Sequence, residues 1–564
     1  MPHSAPTSIG PSPSQPPLAL GPALQRQLQA GSAESVELIE THISWVVLTA
    51  SHAYKLKKPV RLPFLDFTEL AQRRRYCEEE LRLNQRLAPA LYLDVVAIGG
   101  TADAPVLLEP GSTEPAIDYA VRMRRFGVGA LLAERVMTGR ANVAELRDLA
   151  RDLADFHGAA DTSVPDAGYA SPAQIEGAVG DVLTQLESTP HRVRLAAWRD
   201  WVRAEARALA PCWRLRRAQG FVREGHGDLH LANVVWFQDR LQAFDCLEFQ
   251  PAFRWLDVMN DIGFLTMDLR AHGRPDLAAG LLDDYLQYGG DYGGLRVLRF
   301  YEVYRALVRL LVAALRGDPV VAEAAGGGDH AQAAKPRSQE DPTDAPVPRA
   351  ASSAAQLAGG TARRRPDYRL CLDELLRQDA TAPRLVLTQG LSGSGKSTVA
   401  RQLVEQFGMI RLRSDVERKR MFGLAPEQAS RVDGLDIYTP EATRQTFGRL
   451  EALAETVLAA GYPVVVDATF LRRDERRRFQ ALARRLGVAY AILQCEAGLD
   501  TLRARIRRRA ARGGDPSEAD EAVLERQLQW REALGDDERP WARRISTATP
   551  VTAEALAAAL ASLP

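Results

Sequence analysis

The run GLSGSGKST, from Gly390 to Thr398, contains the residue types needed to hold the phosphates of a nucleotide. It follows RLVLTQ, which predicts a strand, and precedes TVARQLVEQFG, which predicts a helix. Glycines at Gly393 and Gly395 would let backbone N–H groups wrap the phosphates. Lys396 would neutralise the β/γ charge, and Ser397 would reach Mg²⁺. The motif thus predicts a nucleotide site formed by Gly390, Ser392, Gly393, Ser394, Gly395, Lys396, Ser397 and Thr398.

A second group of reactive side chains lies in HGDLHLANVVW, from His226 to Trp236. Asp228 precedes Asn233 by five positions, which is the spacing of the catalytic loop in the protein-kinase fold. In such a loop a carboxylate orients the proton of the attacking hydroxyl, and an amide oxygen helps to hold Mg²⁺. The strand-like LQAFDCLEF that follows supplies Asp245 as a second metal-binding carboxylate. We therefore predict Asp228 as catalytic, with Asn233 and Asp245 as metal ligands.

This loop needs a lysine for the α/β-phosphates and a glutamate that holds the lysine in place. The predicted strand AYKLKK offers Lys55, which has the Ala-x-Lys spacing of the kinase strand, with Lys57 as the reserve. In the predicted helix RRRYCEEELRLNQRLA, spacings of three and four place Glu80 on one face with Cys77, Leu81, Asn84 and Leu87. Glu80 is therefore the predicted partner of the lysine, and Glu78 or Glu79 would face solvent.

HGDLHLAN, together with WLDVMNDIGFLTMDL, resembles the aminoglycoside phosphotransferase-like branch of the kinase fold over roughly residues 35–315. FHG at Phe156–Gly158 is similar to the helix that precedes the catalytic loop in that branch. Asp257 and Asp261 lie among apolar residues, so we predict buried anchors for the loop instead of ligands. No dense acidic cluster suited to a cationic aminoglycoside is evident in the predicted C-lobe.

The N-terminal half departs from the kinase pattern at one place. No glycine-rich loop precedes AYKLKK, and IETHISWVVLT stands in its position. A side chain such as Ser44 could replace some of the missing backbone contacts to phosphate. The departure also leaves open the alternative that the N-terminal half is a degenerate domain that senses nucleotide without catalysis.

Further side chains in the C-terminal half have types and spacings suited to phosphoryl transfer. RLRSDVERKRMFG carries Asp415 and, one helical turn later, Arg418, while PVVVDATF ends its strand near Asp467. An arginine-rich helix carries Arg505 and Arg509 on one face. The arrangement resembles small P-loop phosphotransferases such as gluconate, shikimate and polynucleotide 5′-hydroxyl kinases. That resemblance implies Asp415 as general base, Arg418 as a substrate contact, Asp467 as a metal-side carboxylate and the two helix arginines as a lid on the nucleotide.

These motifs must be positioned by two different folds. The predicted fold class is an α+β, protein-kinase-like bilobal domain followed by an α/β P-loop NTPase domain with a parallel sheet. An Ala/Gly/Pro/Ser-rich stretch separates the two halves and predicts a flexible linker. The predicted divisions are a disordered tail (1–22), a kinase-like N-lobe (23–126), a C-lobe (127–319), the linker (320–370) and the P-loop domain (371–564).

Composition narrows the class of protein. Hydrophobic residues make up 46% and charged residues 26%, and 72 Lys+Arg balance 72 Asp+Glu. A chain with no net charge has no overall positive potential that would attract nucleic acid or an anionic membrane. The N-terminal stretch is rich in Pro and Ser and lacks the features of a signal peptide. Five separated cysteines, none in a CxxC pair, are typical of reduced thiols, so we expect a cytoplasmic protein.

The whole chain resembles a bacterial two-domain group in which an aminoglycoside phosphotransferase-like domain is fused to a P-loop, kinase-like ATPase of the AAA family. The resemblance implies a bifunctional phosphotransferase that uses ATP and Mg²⁺ and acts on small hydroxylated acceptors. Two alternatives remain open at this point. The N-terminal half could be a nucleotide-sensing regulator of the P-loop domain. Alternatively, arginine-rich stretches at 472–478 and 503–512 would suit a 5′-hydroxyl kinase for nucleic acid ends.

Overall fold

The computed structural model describes residues 19–62, 65–163, 168–316, 366–377, 383–430 and 436–561. Residues 1–18 of the predicted tail and residues 320–365 of the predicted linker lie outside the described residues. Within the described ranges, no helix is both long enough and apolar enough to cross a bilayer.

The N-terminal lobe is built on an antiparallel sheet with the strand order β1-β2-β3-β8-β6-β7. A small hairpin, β4-β5, lies beside this sheet. The elements are α1 (Leu20–Ala30), β1 (Glu37–Glu40), β2 (Ser44–Leu48), β3 (His52–Lys57), β4 (Arg61–Leu62), β5 (Leu65–Asp66), α2 (Leu70–Gln85), β6 (Tyr92–Gly100), β7 (Pro105–Leu107) and β8 (Asp118–Arg124).

Alternation along β3 determines which side chains meet α2. Tyr54 and Leu56 pack on one face of the sheet with Leu20 and Leu24 of α1. Because strand side chains alternate, Ala53, Lys55 and Lys57 project to the other face, where Ala53 packs with Cys77 of α2. Helix α1 thus begins inside the predicted tail, because its leucines cover the outer face of the sheet.

The C-terminal lobe of this half is mostly helical, and its predicted catalytic loop lies between β9 and β10. Its elements are α3 (Leu132–Met137), α4 (Val143–Ala159), α5 (Pro172–Gln185), α6 (Leu195–Ala218), β9 (Val222–Glu224), β10 (Val234–Phe237), β11 (Arg240–Ala243), α7 (Pro251–Arg254), β12 (Trp255–Asp257), α8 (Val258–Ala271), α9 (Pro275–Gly289) and α10 (Leu295–Leu315). The predicted bilobal architecture is confirmed.

A helix at the end of the predicted linker belongs to this lobe. Helix α11 (Tyr368–Leu376) packs against α8 and α10. The Tyr368 hydroxyl donates to Asp268 Oδ1 at 2.9 Å, and the Arg309 guanidinium lies 5.2 Å from the Tyr368 ring centroid. The predicted boundary at residue 371 therefore falls within a helix that continues the packing of the kinase-like half.

The C-terminal half is an α/β domain whose strands, in the order β14-β15-β13-β16-β17, pair in parallel throughout. This confirms the predicted parallel sheet. The elements are β13 (Arg384–Gln389), α12 (Lys396–Phe407), β14 (Ile410–Arg413), α13 (Ser414–Met421), α14 (Pro440–Ala459), β15 (Val464–Asp467), α15 (Arg473–Leu486), β16 (Ala489–Glu496), α16 (Leu499–Arg512), α17 (Glu521–Trp530), β17 (Ala542–Ser546) and α18 (Ala553–Ala561).

The two halves are in direct contact. Helix α9 of the kinase-like half packs against α12 and β14 of the P-loop domain. Arg411 donates to Asp283 Oδ2 at 2.7 Å, and both side chains are buried. Arg401 of α12 donates to Asp284 Oδ2 at 3.0 Å. One apolar cluster also continues from the helices of the C-lobe to the sheet of the P-loop domain.

Candidate functional site

The lysines of β3 meet one glutamate of α2. Lys55 Nζ donates to Glu80 Oε1 at 2.8 Å and to Asp245 Oδ1 at 2.5 Å. Lys57, the reserve residue, donates to the other oxygen of Glu80 and to Glu248. Burial raises the pKa of Glu80, but the charges of Lys55 and Lys57 outweigh burial and hold the pKa below its usual value. The structure therefore brings together Lys55, Glu80 and Asp245.

Glu248 is a charged member of this cluster that the motifs did not indicate. It is buried, and burial raises the pKa of its carboxyl despite the nearby charge of Lys57. Its position three residues after Asp245 was the available signal in the sequence. The second lysine of AYKLKK thus has its own acidic partner, which leaves Lys55 as the lysine beside Asp245.

Asp228 and Asn233 contact each other within the catalytic loop. Asn233 Nδ2 donates to the carbonyl oxygen of Asp228 at 2.9 Å and to its Oδ2 at 3.2 Å. Burial raises the pKa of Asp228 to about 7, although the charges of Arg305 and Arg309 act to lower it. A carboxyl with a pKa near neutrality can accept a proton from a hydroxyl and release it again.

One oxygen in this loop is free for a cation. Asn233 Oδ1 is buried and accepts no hydrogen bond from the residues that the structure describes. Asp245 adopts a left-handed backbone conformation, with φ of 65°, and its backbone N–H donates to the Tyr92 hydroxyl oxygen at 3.2 Å. An uncompensated amide oxygen and a carboxylate are ligands that Mg²⁺ prefers. The side chains of Asn233 and Asp245 therefore fit the predicted metal site.

Buried anchors hold the backbone of the loop. Asp261 accepts hydrogen bonds from the backbone N–H groups of His226 (2.7 Å) and Gly227 (3.0 Å). The His226 ring contacts the carbonyl oxygen of Phe244 through Nε2 at 2.9 Å. Asp257 caps α8 and accepts two hydrogen bonds from Arg216. These contacts tie the predicted catalytic loop to α8 and to the segment after β11 that carries Asp245.

A short turn replaces the glycine-rich loop between β1 and β2. The Thr41 N–H donates to Ser44 O at 2.9 Å, and the Ser44 N–H donates to Thr41 Oγ1 at 2.9 Å. Ser44 is buried and pairs with Lys57 in the β2–β3 register. The turn is therefore closed by its own hydrogen bonds, and the Ser44 side chain lies within the sheet.

In the C-terminal half, the glycine motif forms the turn between β13 and α12. Gly393 and Gly395 have φ of 80° and 84°, which side chains other than glycine rarely adopt. A Cβ on Gly393 would lie 2.8 Å from the carbonyl oxygen of Leu502. Lys396 Nζ donates to Leu391 O at 2.8 Å, and burial lowers the pKa of its amine. The backbone and the lysine form a cradle that fits nucleotide phosphates.

A cleft of about 1210 Å³ opens beside this turn. Its wall includes Asp415 and Arg418 of α13 and Asp467 at the end of β15. One oxygen of Asp467, Oδ2, is buried and accepts no hydrogen bond in the described part of the chain, and Arg413 Nε lies 3.6 Å from it. A carboxylate oxygen without a hydrogen bond suits a cation near the phosphates. The predicted phosphate-loop residues that line the cleft are Ser392, Gly393, Gly395, Lys396, Ser397 and Thr398. Gly390 and Ser394 instead line a separate cavity with Gln494 and Cys495.

Arg418 is held at the wall of the cleft. Its guanidinium donates to Ile437 O at 3.0 Å and to Thr443 Oγ1 at 3.2 Å, and it lies 5.1 Å from the Tyr438 ring centroid. Burial lowers the pKa of Arg418. Glu475 lines the same cleft, and burial raises the pKa of its carboxyl to about 7. Glu475 did not stand out from the arginines around it in the sequence.

The arginine-rich helix α16 reaches the phosphate loop. Arg505 donates to Gly393 O at 3.3 Å and to Thr547 Oγ1 at 3.0 Å. Arg509 lines the cleft and donates to the carbonyl oxygen of Ala519. Gln527 of α17, which sequence reasoning missed, accepts a hydrogen bond from the Ser392 N–H at 2.8 Å. The loop is therefore contacted from α16 and from α17.

Comparison with known proteins identifies both halves. Residues 51–301 match the model of the phosphotransferase enzyme family, and residues 385–534 match that of an AAA domain. Proteins of Mycobacterium tuberculosis and Mycobacterium bovis, both described as uncharacterized, are 28% identical over 512 residues, which cover 88% of this chain and 91% of theirs. These matches support a phosphotransferase domain followed by a P-loop domain, in the predicted order, and they support the prediction that the chain is a kinase.

Solved structures also show similarity to part of the chain. A gluconokinase from Sinorhizobium meliloti has 22% identity and a TM-score of 0.24, and covers 32% of this chain and 91% of its own. An APS kinase from Mycobacterium tuberculosis has 19% identity and a TM-score of 0.22, and covers 31% of this chain and 95% of its own.

Proposed function

We propose that the chain is a bifunctional ATP- and Mg²⁺-dependent phosphotransferase, which phosphorylates hydroxyl groups of small-molecule acceptors at two separate ATP sites. The same arrangement in both halves supports the proposal. Each half places a lysine that would bind phosphate and an acidic side chain in one site. Lys55 contacts Asp245 in the first half, and Lys396 shares a cleft with Asp415 in the second. Lys55 is buried and Lys396 is partly buried, so their charge acts at short range and with little screening by water. We place the reaction in the cytoplasm, where ATP is abundant.

In the first half, each residue has a distinct proposed role. Glu80 holds Lys55, whose amine contacts the α/β-phosphates. Asp228 orients the acceptor hydroxyl and takes its proton as the hydroxyl oxygen attacks the γ-phosphorus. Asn233 Oδ1 and Asp245 would hold Mg²⁺, which neutralises charge on the phosphates when it is bound.

In the second half, the cleft beside the phosphate loop supports the corresponding roles. Asp415 would accept the proton of the second acceptor, and Arg418 would contact that acceptor. Lys396 would contact the β/γ-phosphates, and Ser397 and Asp467 would hold Mg²⁺. Arg505 and Arg509 would reach the nucleotide from α16, because Arg505 already contacts the loop at Gly393.

A second candidate is a P-loop kinase that is regulated by a catalytically degenerate, nucleotide-sensing N-terminal half. Two observations favour it. The turn between β1 and β2 lacks glycine, and α9 contacts α12, the helix that begins at Lys396. A change in the C-lobe could therefore reach the phosphate loop through Arg401 and Asp284.

An ATP-consumption screen of the full chain distinguishes the two candidates. The unchanged chain, Asp228→Asn, Lys396→Ala and the double variant are each supplied with sugars, nucleosides, aminoglycosides and aliphatic or aromatic alcohols. Bifunctionality predicts one acceptor-dependent activity that only Asp228→Asn removes and another that only Lys396→Ala removes. If Lys396→Ala removes all ATP consumption and Asp228→Asn removes none, the regulatory candidate replaces the bifunctional one.

A further inference from the structure

A cavity of about 410 Å³ lies against the catalytic loop of the first half, with Asp228 and Gly227 in its wall. Its volume is in the range of small-molecule sites, which span about 300–1,000 Å³. Helix α10 lines one side with Tyr304, Val308 and Val312, which share a face because they are four residues apart.

Two other elements complete an apolar enclosure. Helix α5, which packs against α10, contributes Ile175 and Val182 to the wall. Trp255 also lines the cavity, and its ring stacks on Tyr169 with centroids 5.9 Å apart and planes inclined by 9°. The flat, fixed indole offers a surface for the apolar or aromatic part of a ligand.

The charges around the cavity are unfavourable for a polycation. Arg305 lines the wall and donates to Asn260 Oδ1 at 2.7 Å and to Gly227 O at 3.0 Å. Asp257 also lines it, but its carboxylate is already bound by Arg216 through two hydrogen bonds. Among the described lining residues, Asp181 on the exposed side of α5 is the one further carboxylate besides Asp228. A ligand with several ammonium groups would lose hydration here without finding enough partners.

We propose that the acceptor of the first half is a hydroxylated molecule with an apolar or aromatic body and no multiple positive charge. The inference rests on the proposed function, because it assumes that Asp228 serves a phosphoryl transfer. The body packs against the lining residues of α10 and α5 and against Trp255, and the hydroxyl points to Asp228. In the transfer, a bond forms between the hydroxyl oxygen and the γ-phosphorus. The bond from that phosphorus to the β–γ bridging oxygen breaks, ADP leaves, and the hydroxyl proton passes to Asp228.

Binding and turnover are measured separately to test this. The probes are 2-(2-naphthyl)ethanol as the apolar alcohol and kanamycin as the polycation, each titrated against the full chain by calorimetry. The variants Val308→Asp and Val312→Asp place a carboxylate on the half-buried face of α10. Val193→Asp is the matched control, because Val193 is 86% exposed and does not line the cavity. Thermal unfolding of each variant checks that it is folded.

The expected result is that naphthylethanol binds more tightly than kanamycin, and that each cavity variant weakens its binding at least about tenfold while Val193→Asp does not. The inference is overturned if kanamycin binds more tightly, if naphthylethanol does not bind, or if the folded cavity variants bind it like the unchanged chain. Binding is repeated in Asp228→Asn to separate the two claims. Binding that persists there, without acceptor-dependent ATP consumption by the unchanged chain, contradicts the proposed function of this half and leaves the inference on its binding site standing.

Discussion

At the scale of single residues, burial determines how Asp228 can react. An exposed aspartate is ionised at neutral pH, whereas burial raises the pKa of Asp228 to about 7. Arg305 and Arg309 act in the opposite direction, so the carboxyl remains close to the point where both of its forms are populated. A general base with this property can take a proton during transfer and return it to solvent afterwards.

This protonation equilibrium predicts a pH dependence of the first activity. The proposed base must be deprotonated to act, so kcat/KM should increase as pH rises to about 7 and level off above that value. Below this point it should fall about tenfold for each pH unit. The measurement uses the Lys396→Ala chain, so that the second site is silent, and an acceptor from the screen. A profile without an inflection between about pH 5 and about pH 9 would contradict the assignment.

Removal of the Asp228 carboxylate should greatly reduce the rate of phosphoryl transfer in the first half. Asp228→Asn keeps the size of the side chain, and in the Lys396→Ala background we expect kcat to fall about 10²–10⁴-fold. The KM for ATP should change little, because the phosphates are proposed to bind at Lys55. Asp239→Asn is the control, since Asp239 lies in the exposed turn between β10 and β11. An Asp228→Asn protein with the activity of its parent would remove Asp228 from the mechanism.

At the scale of elements, the turn between β13 and α12 depends on glycine for a steric reason. Gly395 has φ of 84°, and a Cβ there would lie 3.1 Å from the Thr547 side chain. Gly408, at the other end of α12, has φ of 63° but no neighbour within 4 Å of its Cβ position. The two glycines therefore share backbone strain but differ in their surroundings.

That difference gives a matched pair of variants. Gly395→Ala and Gly408→Ala should each lower the free energy of unfolding by about 1–3 kcal/mol, because both place a side chain in the left-handed region. Only Gly395→Ala should also weaken nucleotide binding at the P-loop, since its methyl group displaces the loop from Thr547. Titration with a fluorescent ATP analogue measures this in the Lys55→Ala background, where the proposed phosphate contact of the first site is removed. Equal nucleotide affinity in both variants would show that the loop tolerates the methyl group.

The structure changes the interpretation of the arginine-rich helices, because it shows acidic partners for many of their side chains. In the stretches that favoured nucleic acid binding, Arg476 is buried with Glu538, and Arg473 and Arg477 pair with Asp537. Arg503 and Arg507 of α16 likewise pair with Glu525 and Glu521. Much of the positive charge is thus balanced within the domain, which weakens the basis for a 5′-hydroxyl kinase acting on nucleic acid ends.

At the scale of the whole molecule, the two halves share a partly buried interface. Asp283 is buried and accepts hydrogen bonds from Arg411 across the interface and from Gln287 within its own helix. Removing one member of such a buried ion pair lowers the stability, because the remaining charge loses its partner and is not rehydrated. The contact holds α9 against β14.

Breaking this pair should separate the halves. Asp283→Asn leaves the Arg411 charge uncompensated and should cost about 3–5 kcal/mol at the interface. Small-angle X-ray scattering should then show a larger radius of gyration, and proteases should cut the 317–365 segment faster. Asp276→Asn on the same helix is the control, because its partner Arg274 is local and both are partly exposed. An unchanged radius of gyration in Asp283→Asn would mean that the apolar contacts alone hold the interface.

The amino-acid sequence by itself determined the local chemistry of this protein. The glycines and lysine of GLSGSGKST, the Asp228–Asn233 spacing and the alternation that places Lys55 on one face of β3 are properties of short segments. Short-range geometry suffices to predict them, because helix and strand periodicities and turn conformations are local. The fold class and both domain types followed from these motifs.

Only the tertiary structure decided which distant groups share an environment. Glu475 carries no local signal and Glu248 carries only its position three residues after Asp245, and the raised pKa values of both carboxyls come from burial. The apolar cavity beside Asp228 is likewise assembled from α5, α10 and Trp255. The contact of α9 with α12 joins residues more than a hundred positions apart across the predicted linker. Burial and desolvation depend on the whole packed chain, so no single segment could have predicted them.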